Sequence, residues 1–173
     1  MNITVTTNAD KVIKQITARQ NAWERKLHRF LSELAKIGIE TADVKFRTAQ
    51  YDGTNDTIVE KTPVWTSPTT LKIVASGRSI TFIEFGSGVH YTEEHPKANE
   101  LGMIRGAYGH GLGKFDSWRY KGDPGTNGEV IQKGKHKGEV LTHGNPPARA
   151  MYDAGKEMRE NVVKIAKEVF RHD

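Results

Sequence analysis

Two apolar stripes with helical spacing, one in each terminal third of the chain, limit the possible folds most strongly. Near the N-terminus the apolar residues step by four, three, four and three positions, at Trp23, Leu27, Phe30, Leu34 and Ile37. Near the C-terminus they step by three, four, four, three and four, at Met151, Ala154, Met158, Val162, Ile165 and Val169. Such steps place each run on one face of an α-helix. We therefore predict two amphipathic helices, over residues 17–48 and 146–171.

The second helix also has a start signal. Asn145 belongs to the residue types that cap helix N-termini. Pro146 and Pro147 follow it, and proline suits the first helical position because the N–H that it lacks would have no partner there. The sequence therefore predicts that Asn145, Pro146 and Pro147 form the entry to the C-terminal helix.

Four shorter segments have the composition of β-strands. They cover residues 2–7, 57–62, 69–76 and 79–85. Residues 79–85 carry apolar side chains on both faces, which is typical of a central strand covered on each side. These patterns predict an α+β fold: a single domain over 1–173, in which a small antiparallel sheet is packed by the long N-terminal helix and the C-terminal helix.

Residues 90–143 differ in kind from the rest of the chain. Residues 86–144 hold 13 of the 17 glycines and five of the seven histidines, and apolar periodicity is lost there. A loop of this length is either functional or ordered only by a partner. Its aromatic residues favour a contact role, since aromatics are enriched at protein interfaces. We predict an extended, glycine-rich loop or arm, launched by a turn at Phe85, Gly86 and Gly88 and anchored on a neighbouring subunit by Tyr108, Phe115, Trp118 and Tyr120.

Charge and residue usage narrow the classes of function. The net charge is +5 and the isoelectric point is about 9.4, which keeps a basic nucleic-acid-binding protein open as the alternative function. The absence of cysteine excludes a disulfide framework and a thiolate zinc site. No apolar run approaches the roughly 18 residues of a membrane span. We therefore expect no membrane partner and a cytoplasmic origin.

The candidate catalytic motifs are incomplete. His90 and His95 lie five residues apart in a region without helical pattern, which fits neither a zinc hydrolase motif nor a zinc finger. Residues 109–113 lack the spacing of a phosphate loop, and Ser87 lacks the sequence of a hydrolase elbow. For Glu84 a salt bridge is expected rather than catalysis. We expect no enzyme activity, no catalytic or metal-binding residues and no cofactor; a metal-dependent hydrolase that uses the histidines is kept as a third hypothesis.

Two short motifs resemble a known family. Residues 82–87 read Phe-Ile-Glu-Phe-Gly-Ser, and residues 147–151 read Pro-Ala-Arg-Ala-Met. Together with the long basic N-terminal helix, they are similar to tail-component proteins of long-tailed, double-stranded DNA bacteriophages. The resemblance implies a structural virion protein that acts in tail completion. Such a protein forms a closed ring, here expected to be a hexamer, at the head–tail junction or neck, and joins the tail to the DNA-filled head.

The same resemblance implies the partners and the location. The partners are expected to be identical subunits of the ring and the neighbouring neck and tail proteins, with possible non-specific DNA contact in the ring lumen. The protein is expected in the host cytoplasm during assembly and in the tail or neck of the virion afterwards. The resemblance implies no catalytic residues in this chain.

Overall fold

Two long helices form the frame of the molecule. The computed structural model describes residues 8–91, 95–104 and 106–171. Its elements in chain order are α1 (Ala9–Arg47), β1 (Ile58–Val59), β2 (Val64–Ser67), β3 (Thr70–Lys72), β4 (Ala75–Ser76), α2 (Ile80–Phe85), a 3₁₀ turn (Leu112–Lys114), β5 (Trp118–Tyr120), β6 (Glu129–Val130), β7 (Val140–Thr142) and α3 (Ala150–Phe170). The α+β class and both long helices are confirmed, although α1 begins eight residues earlier than predicted and α3 four residues later.

α1 and α3 pack side by side in opposite directions. The rings of Trp23 and Phe170 lie 4.9 Å apart between centroids. Further along the pair, Gly38 permits a close approach, because a Cβ at that position would lie 2.7 Å from the Met158 sulfur. No helix in the described part of the chain carries an apolar stretch that could cross a bilayer.

The core lies where the three helices meet. Phe46 of α1, Ile83 of α2 and Ala150 of α3 are fully buried, and β1 contributes Val59 to the same cluster. Burial of apolar surface is the main favourable term in folding. Because α2 is part of this core, its end and the residues after it are held in a fixed position against the start of α3.

In place of the one small antiparallel sheet that was predicted, the described residues form three small sheets. β1 pairs with β4, β2 pairs with β3, and β7 lies between β5 and β6, all antiparallel. The predicted strand 57–62 contains β1, and the predicted strand 69–76 contains β3 and β4. β2 lies between the two predicted strands and was not predicted. The predicted strand 2–7 lies outside the described residues.

The predicted central strand 79–85 is wrong, because Ile80–Phe85 forms helix α2. Just before this helix, the Asp56 carboxylate accepts hydrogen bonds from the N–H groups of Arg78 and Ser79, each at 3.0 Å. A short apolar run fits a buried helix as well as a buried strand. Here the Asp56 carboxylate, 22 and 23 residues away in the chain, fixes the two residues that lead into the helix.

Residues 90–143 contain the three-stranded sheet, where the sequence predicted no regular elements. Trp118 of β5 pairs with Thr142 of β7, and β6 pairs with the opposite edge of β7. The N–H of Thr126 donates to the carbonyl of Tyr51, just after α1, at 2.9 Å. The segment is therefore folded against the rest of the molecule at these points. Its ordering by a neighbouring subunit stays a prediction.

We expect Asp56→Asn to destabilise the protein at neutral pH but not in strong acid. Backbone hydrogen bonds from Ser79 and Arg78 lower the pKa of Asp56 from 3.8 to about 2. A carboxylate with a lowered folded pKa stabilises the fold above its unfolded pKa, and this contribution is lost as the pH falls from about 4 to about 2. Urea unfolding at a series of pH values should show a stability gap between wild type and variant that closes over this range.

The exposed Asp116 supplies a control for this experiment. Asp116→Asn should leave the free energy of unfolding at neutral pH close to that of the wild type. A gap for Asp56→Asn that stays constant down to acid would contradict the assignment.

Candidate functional site

The predicted turn and the predicted helix entry meet in one place. Ser87 and Asn145, 58 residues apart in the chain, pair as an isolated antiparallel bridge. The Ser87 N–H donates to the Asn145 carbonyl at 2.9 Å, and the Asn145 N–H donates to the Ser87 carbonyl at 3.0 Å. The Asn145 side-chain N–H also donates to the Phe82 carbonyl at 3.1 Å. We call residues 82–88 and 143–152 together the junction.

Gly86 and Gly88 allow the close backbone approach within the junction. Both have positive φ, +80° and +82°. A Cβ on Gly86 would lie 2.8 Å from the Pro147 nitrogen, and a Cβ on Gly88 would lie 2.5 Å from the His143 carbonyl oxygen. The backbone conformation and the neighbouring backbone therefore both require glycine. The turn after Phe85 lies where the sequence predicted it, although it ends a helix rather than a strand.

The helix entry differs from the prediction. Asn145 is not the N-cap of α3 and Pro146 is not its first residue, because the helix begins at Ala150, after Arg149 with φ +53°. Asn145 is buried and its side chain is bonded within the junction. The chain before α3 follows the end of α2 instead: the Arg149 N–H donates to the Glu84 carbonyl at 3.2 Å.

The N-terminus of α3 is capped by a residue from another helix. Glu84 of α2 is 6% exposed. Its carboxylate accepts hydrogen bonds from the Met151 N–H at 3.0 Å and from the Tyr152 N–H at 3.1 Å. The unpaired N–H groups and the dipole at this end of a helix both favour an anion. A carboxylate distant in sequence therefore takes the capping role that was predicted for Asn145.

His95 completes the surroundings of this carboxylate. It is 5% exposed, and its Nε2 lies 3.1 Å from Glu84 Oε1. The Lys97 N–H donates to His95 Nδ1 at 3.0 Å, so Nδ1 carries the lone pair and Nε2 the proton that is donated to Glu84. The rings of Phe85 and Tyr152 contact the imidazole, at 4.4 Å and 5.4 Å between centroids. The sequence predicted a salt bridge for Glu84 but gave no signal for this partner.

Three of the four predicted anchor residues line one cleft. Tyr108, Trp118 and Tyr120 face a cleft of about 450 Å³ between β5 and the loop after α1. Phe82 of α2 also lines it, with its ring 5.5 Å from that of Tyr108. Phe115 lies outside the cleft and is 52% exposed. Three of the anchors thus line the cleft, and the fourth, Phe115, lies half-exposed with the Lys114 Nζ 5.5 Å from its ring centroid.

The polar groups of the cleft are engaged in holding loops together. Asp52 accepts hydrogen bonds from the Thr142 hydroxyl at 2.5 Å and from the Asn127 N–H at 3.0 Å. The Tyr120 hydroxyl donates to the Asp123 carbonyl at 2.7 Å. Burial, followed by the negative charge of Asp52, raises the pKa of Tyr120 to about 12. Tyr120 therefore stays neutral near neutral pH, and two donors fix Asp52 in place.

The loop histidines are held by local contacts. The carbonyl of Asp116 lies 2.6 Å from His90 Nε2 and 3.0 Å from His143 Nδ1. The described residues hold no group of three or more metal-ligating side chains placed to bind a metal ion. Within the described part of the chain, these histidines therefore support the loops around the junction.

Comparisons with known proteins do not assign a family. No protein-family model, curated protein or solved structure matches the chain. The resemblance to phage tail components rests on two motifs and the long basic N-terminal helix, and both motifs lie within the junction.

Gly88→Ala should destabilise the protein by about 3 kcal/mol, because positive φ strains a residue with a Cβ and the His143 carbonyl must move. Gly102→Ala is the matched control: Gly102 has φ +68°, and its Cβ would meet no atom within 4 Å. This control should cost about 1 kcal/mol, from strain alone. Urea unfolding of both variants measures the difference, and equal losses would contradict a tightly closed junction.

Glu84→Gln should destabilise the protein by about 2–3 kcal/mol, because an amide presents an N–H where the buried carboxylate accepts hydrogen bonds. Glu100→Gln is the control, since Glu100 is 65% exposed and pairs with the nearby Lys97 on the surface. It should change the free energy of unfolding by less than about 0.5 kcal/mol. Similar values for the two variants would show that Glu84 does not cap α3.

Proposed function

We propose that this protein is a structural subunit of a phage virion that forms a ring at the head–tail junction and acts in tail completion. The observation that carries the proposal is the junction. The two motifs that resemble phage tail components, residues 82–87 and 147–151, are far apart in sequence but contact each other directly through Gly86, Glu84 and the start of α3. A shared structural unit gives one reason for both motifs to occur in one chain.

The molecular surface supports an assembly role. Apolar side chains are exposed at the N-terminal end of α1, at Val12, Ile13 and Ile16, and beside the cleft, at Leu112 and Phe115. Contiguous exposed apolar groups mark surfaces that bind other proteins. The partners are, on this proposal, identical subunits in a hexameric ring and the adjacent neck and tail proteins, and the role requires no cofactor and no catalytic group.

The proposal is tested on assembled particles. Multi-angle light scattering of the purified protein should give a mass near 116 kDa, six times the 19.4 kDa subunit. Cryo-microscopy of virions from the phage that encodes the chain should place a ring of this protein between head and tail, and mass spectrometry of those virions should detect it. Absence of the protein from purified virions would overturn the proposal.

A basic stripe along α1 favours nucleic-acid binding as the second candidate. At about 100° per residue, its exposed cations fall on the helix face opposite the apolar stripe. They are Lys11, Lys14, Arg25, Arg29 and Lys36. Duplex binding through these cations should weaken steeply with salt, by a slope of about −0.9 per phosphate contact. Binding that is undetectable near 50 mM salt, where such contacts are strongest, would remove this candidate.

A further inference from the structure

The apolar stripe of α1 continues beyond the end of its partner helix. Where α1 and α3 pair, the stripe packs Trp23 and Phe30 against Phe170, the last residue of α3. The same face continues toward the N-terminus with Val12, Ile13 and Ile16, which are 49%, 59% and 60% exposed. We call residues 9–21 the overhang; they extend α1 by about 20 Å past this contact. The helix face that packs on α3 therefore continues, within the described part of the chain, as an exposed apolar face.

A second apolar surface lies beside the cleft. Val89, Leu112 and Phe115 are 47%, 40% and 52% exposed. The segments that carry them are in contact: a Cβ on Gly113 would lie 3.0 Å from the Gly88 nitrogen. We call Val89, Leu112 and Phe115 the loop patch. It combines an aromatic ring with branched aliphatic side chains, the residue types that fill protein interfaces.

The overhang and the loop patch lie at opposite ends of the long axis. Leu112 lines the same cleft as Tyr51, which follows the C-terminal end of α1. Along the helix, Ile16 and Arg47 are separated by about 45 Å. Two different apolar surfaces at opposite ends suit a head-to-tail contact between copies, since a two-fold dimer would use one surface twice.

The charges of the two ends are complementary. The overhang carries Lys11, Lys14 and Arg19 against Asp10. The cleft beside the loop patch is lined by three carboxylates and two cations, at Asp52, Asp56, Asp123, Arg78 and Lys121. Lys114 lies over the ring of Phe115 in the loop patch, with its Nζ 5.5 Å from the ring centroid, so the attraction comes from the cleft carboxylates and not from the loop patch itself. The net charge of the cleft lining favours the approach of the basic overhang over overhang-to-overhang contact.

We propose that the overhang of one molecule docks on the loop patch of a second copy of this chain, head to tail. Ile13 and Ile16 supply the apolar contact on one side, and Leu112 and Phe115 supply it on the other. The contact rests on the proposed assembly role and specifies how neighbouring subunits of the ring would meet. It continues in trans the packing that α3 gives to α1 within one molecule.

The first test is sedimentation velocity of Ile13→Asp/Ile16→Asp over a range of concentrations. The substitutions should leave the helical circular dichroism unchanged, because both side chains are exposed, and should weaken self-association by about a hundredfold or more. Ala18→Asp/Asn21→Asp is the matched control: it adds the same two charges at the same spacing to the opposite face of the overhang, so it reduces only the charge attraction and should weaken self-association far less than Ile13→Asp/Ile16→Asp does. Equal association of the two variants overturns the contact, and so does a wild type that stays monomeric at every concentration.

The second test uses the absence of cysteine in the chain. Ile16→Cys and Phe115→Cys are prepared separately, mixed and oxidised. A disulfide-linked dimer should form in the mixture and in neither variant alone, whereas Ala18→Cys mixed with Phe115→Cys should not cross-link. Self-cross-linking of Ile16→Cys alone would show a two-fold contact between overhangs, and cross-linking of Ile16→Cys in virions to a different protein would show another occupant; either overturns the inference.

The two proposals fail in distinguishable ways. If the mixed cross-link forms but the protein is absent from virions, the contact stands and the phage function is wrong. If virions contain the ring and Ile13→Asp/Ile16→Asp assembles into it as the wild type does, the function stands and the contact is wrong.

Discussion

The structure depends on the buried carboxylate of Glu84, because a charge removed from water must have its hydrogen-bonding capacity filled. Its donors come from two distant parts of the chain: Met151 and Tyr152 open α3, and His95 follows the glycine turn. A buried polar group left without hydrogen-bond partners at this position would lower the free energy of unfolding by about 1–3 kcal/mol. One carboxylate therefore fixes α2, the start of α3 and the segment after the turn relative to one another.

The Glu84 carboxylate reaches α3 because the backbone at Gly86 and Gly88 passes close to the segment that leads into α3. Positive φ at Gly86 and Gly88 turns the chain immediately after α2, and Ser87 between them pairs with Asn145. A side chain at Gly86 or Gly88 would push residues 86–88 away from residues 143–147. The glutamate, the two glycines and the serine thus form one mechanical unit, in which the cap and the turn each need the geometry that the other provides.

The parts of this fold that could be predicted are those encoded by local periodicity. The stripe through Trp23 and the one through Met158 predict α1 and α3 because a helix of that length buries one face whatever surrounds it. The nature of residues 80–85 and the start of α3 could not be predicted in this way. They involve contacts distant in sequence: Asp56 bonds the residues that lead into α2, and Glu84 bonds the first turn of α3. The strands of residues 118–142 are two or three residues long, too short for a period to appear.

The apolar side chains of the overhang are not explained by the packing of α1 on α3 within one molecule. The isoleucines at positions 13 and 16 are exposed and lie beyond the ring contact of Trp23 with Phe170, the last residue of α3. Helix propensity alone would be served as well or better by alanine or lysine. The stripe nevertheless keeps its phase across this boundary, so the same helix face that binds α3 is prepared to bind a similar surface elsewhere. A partner that covers the overhang would remove its apolar side chains from water, and this burial is the free energy available for assembly.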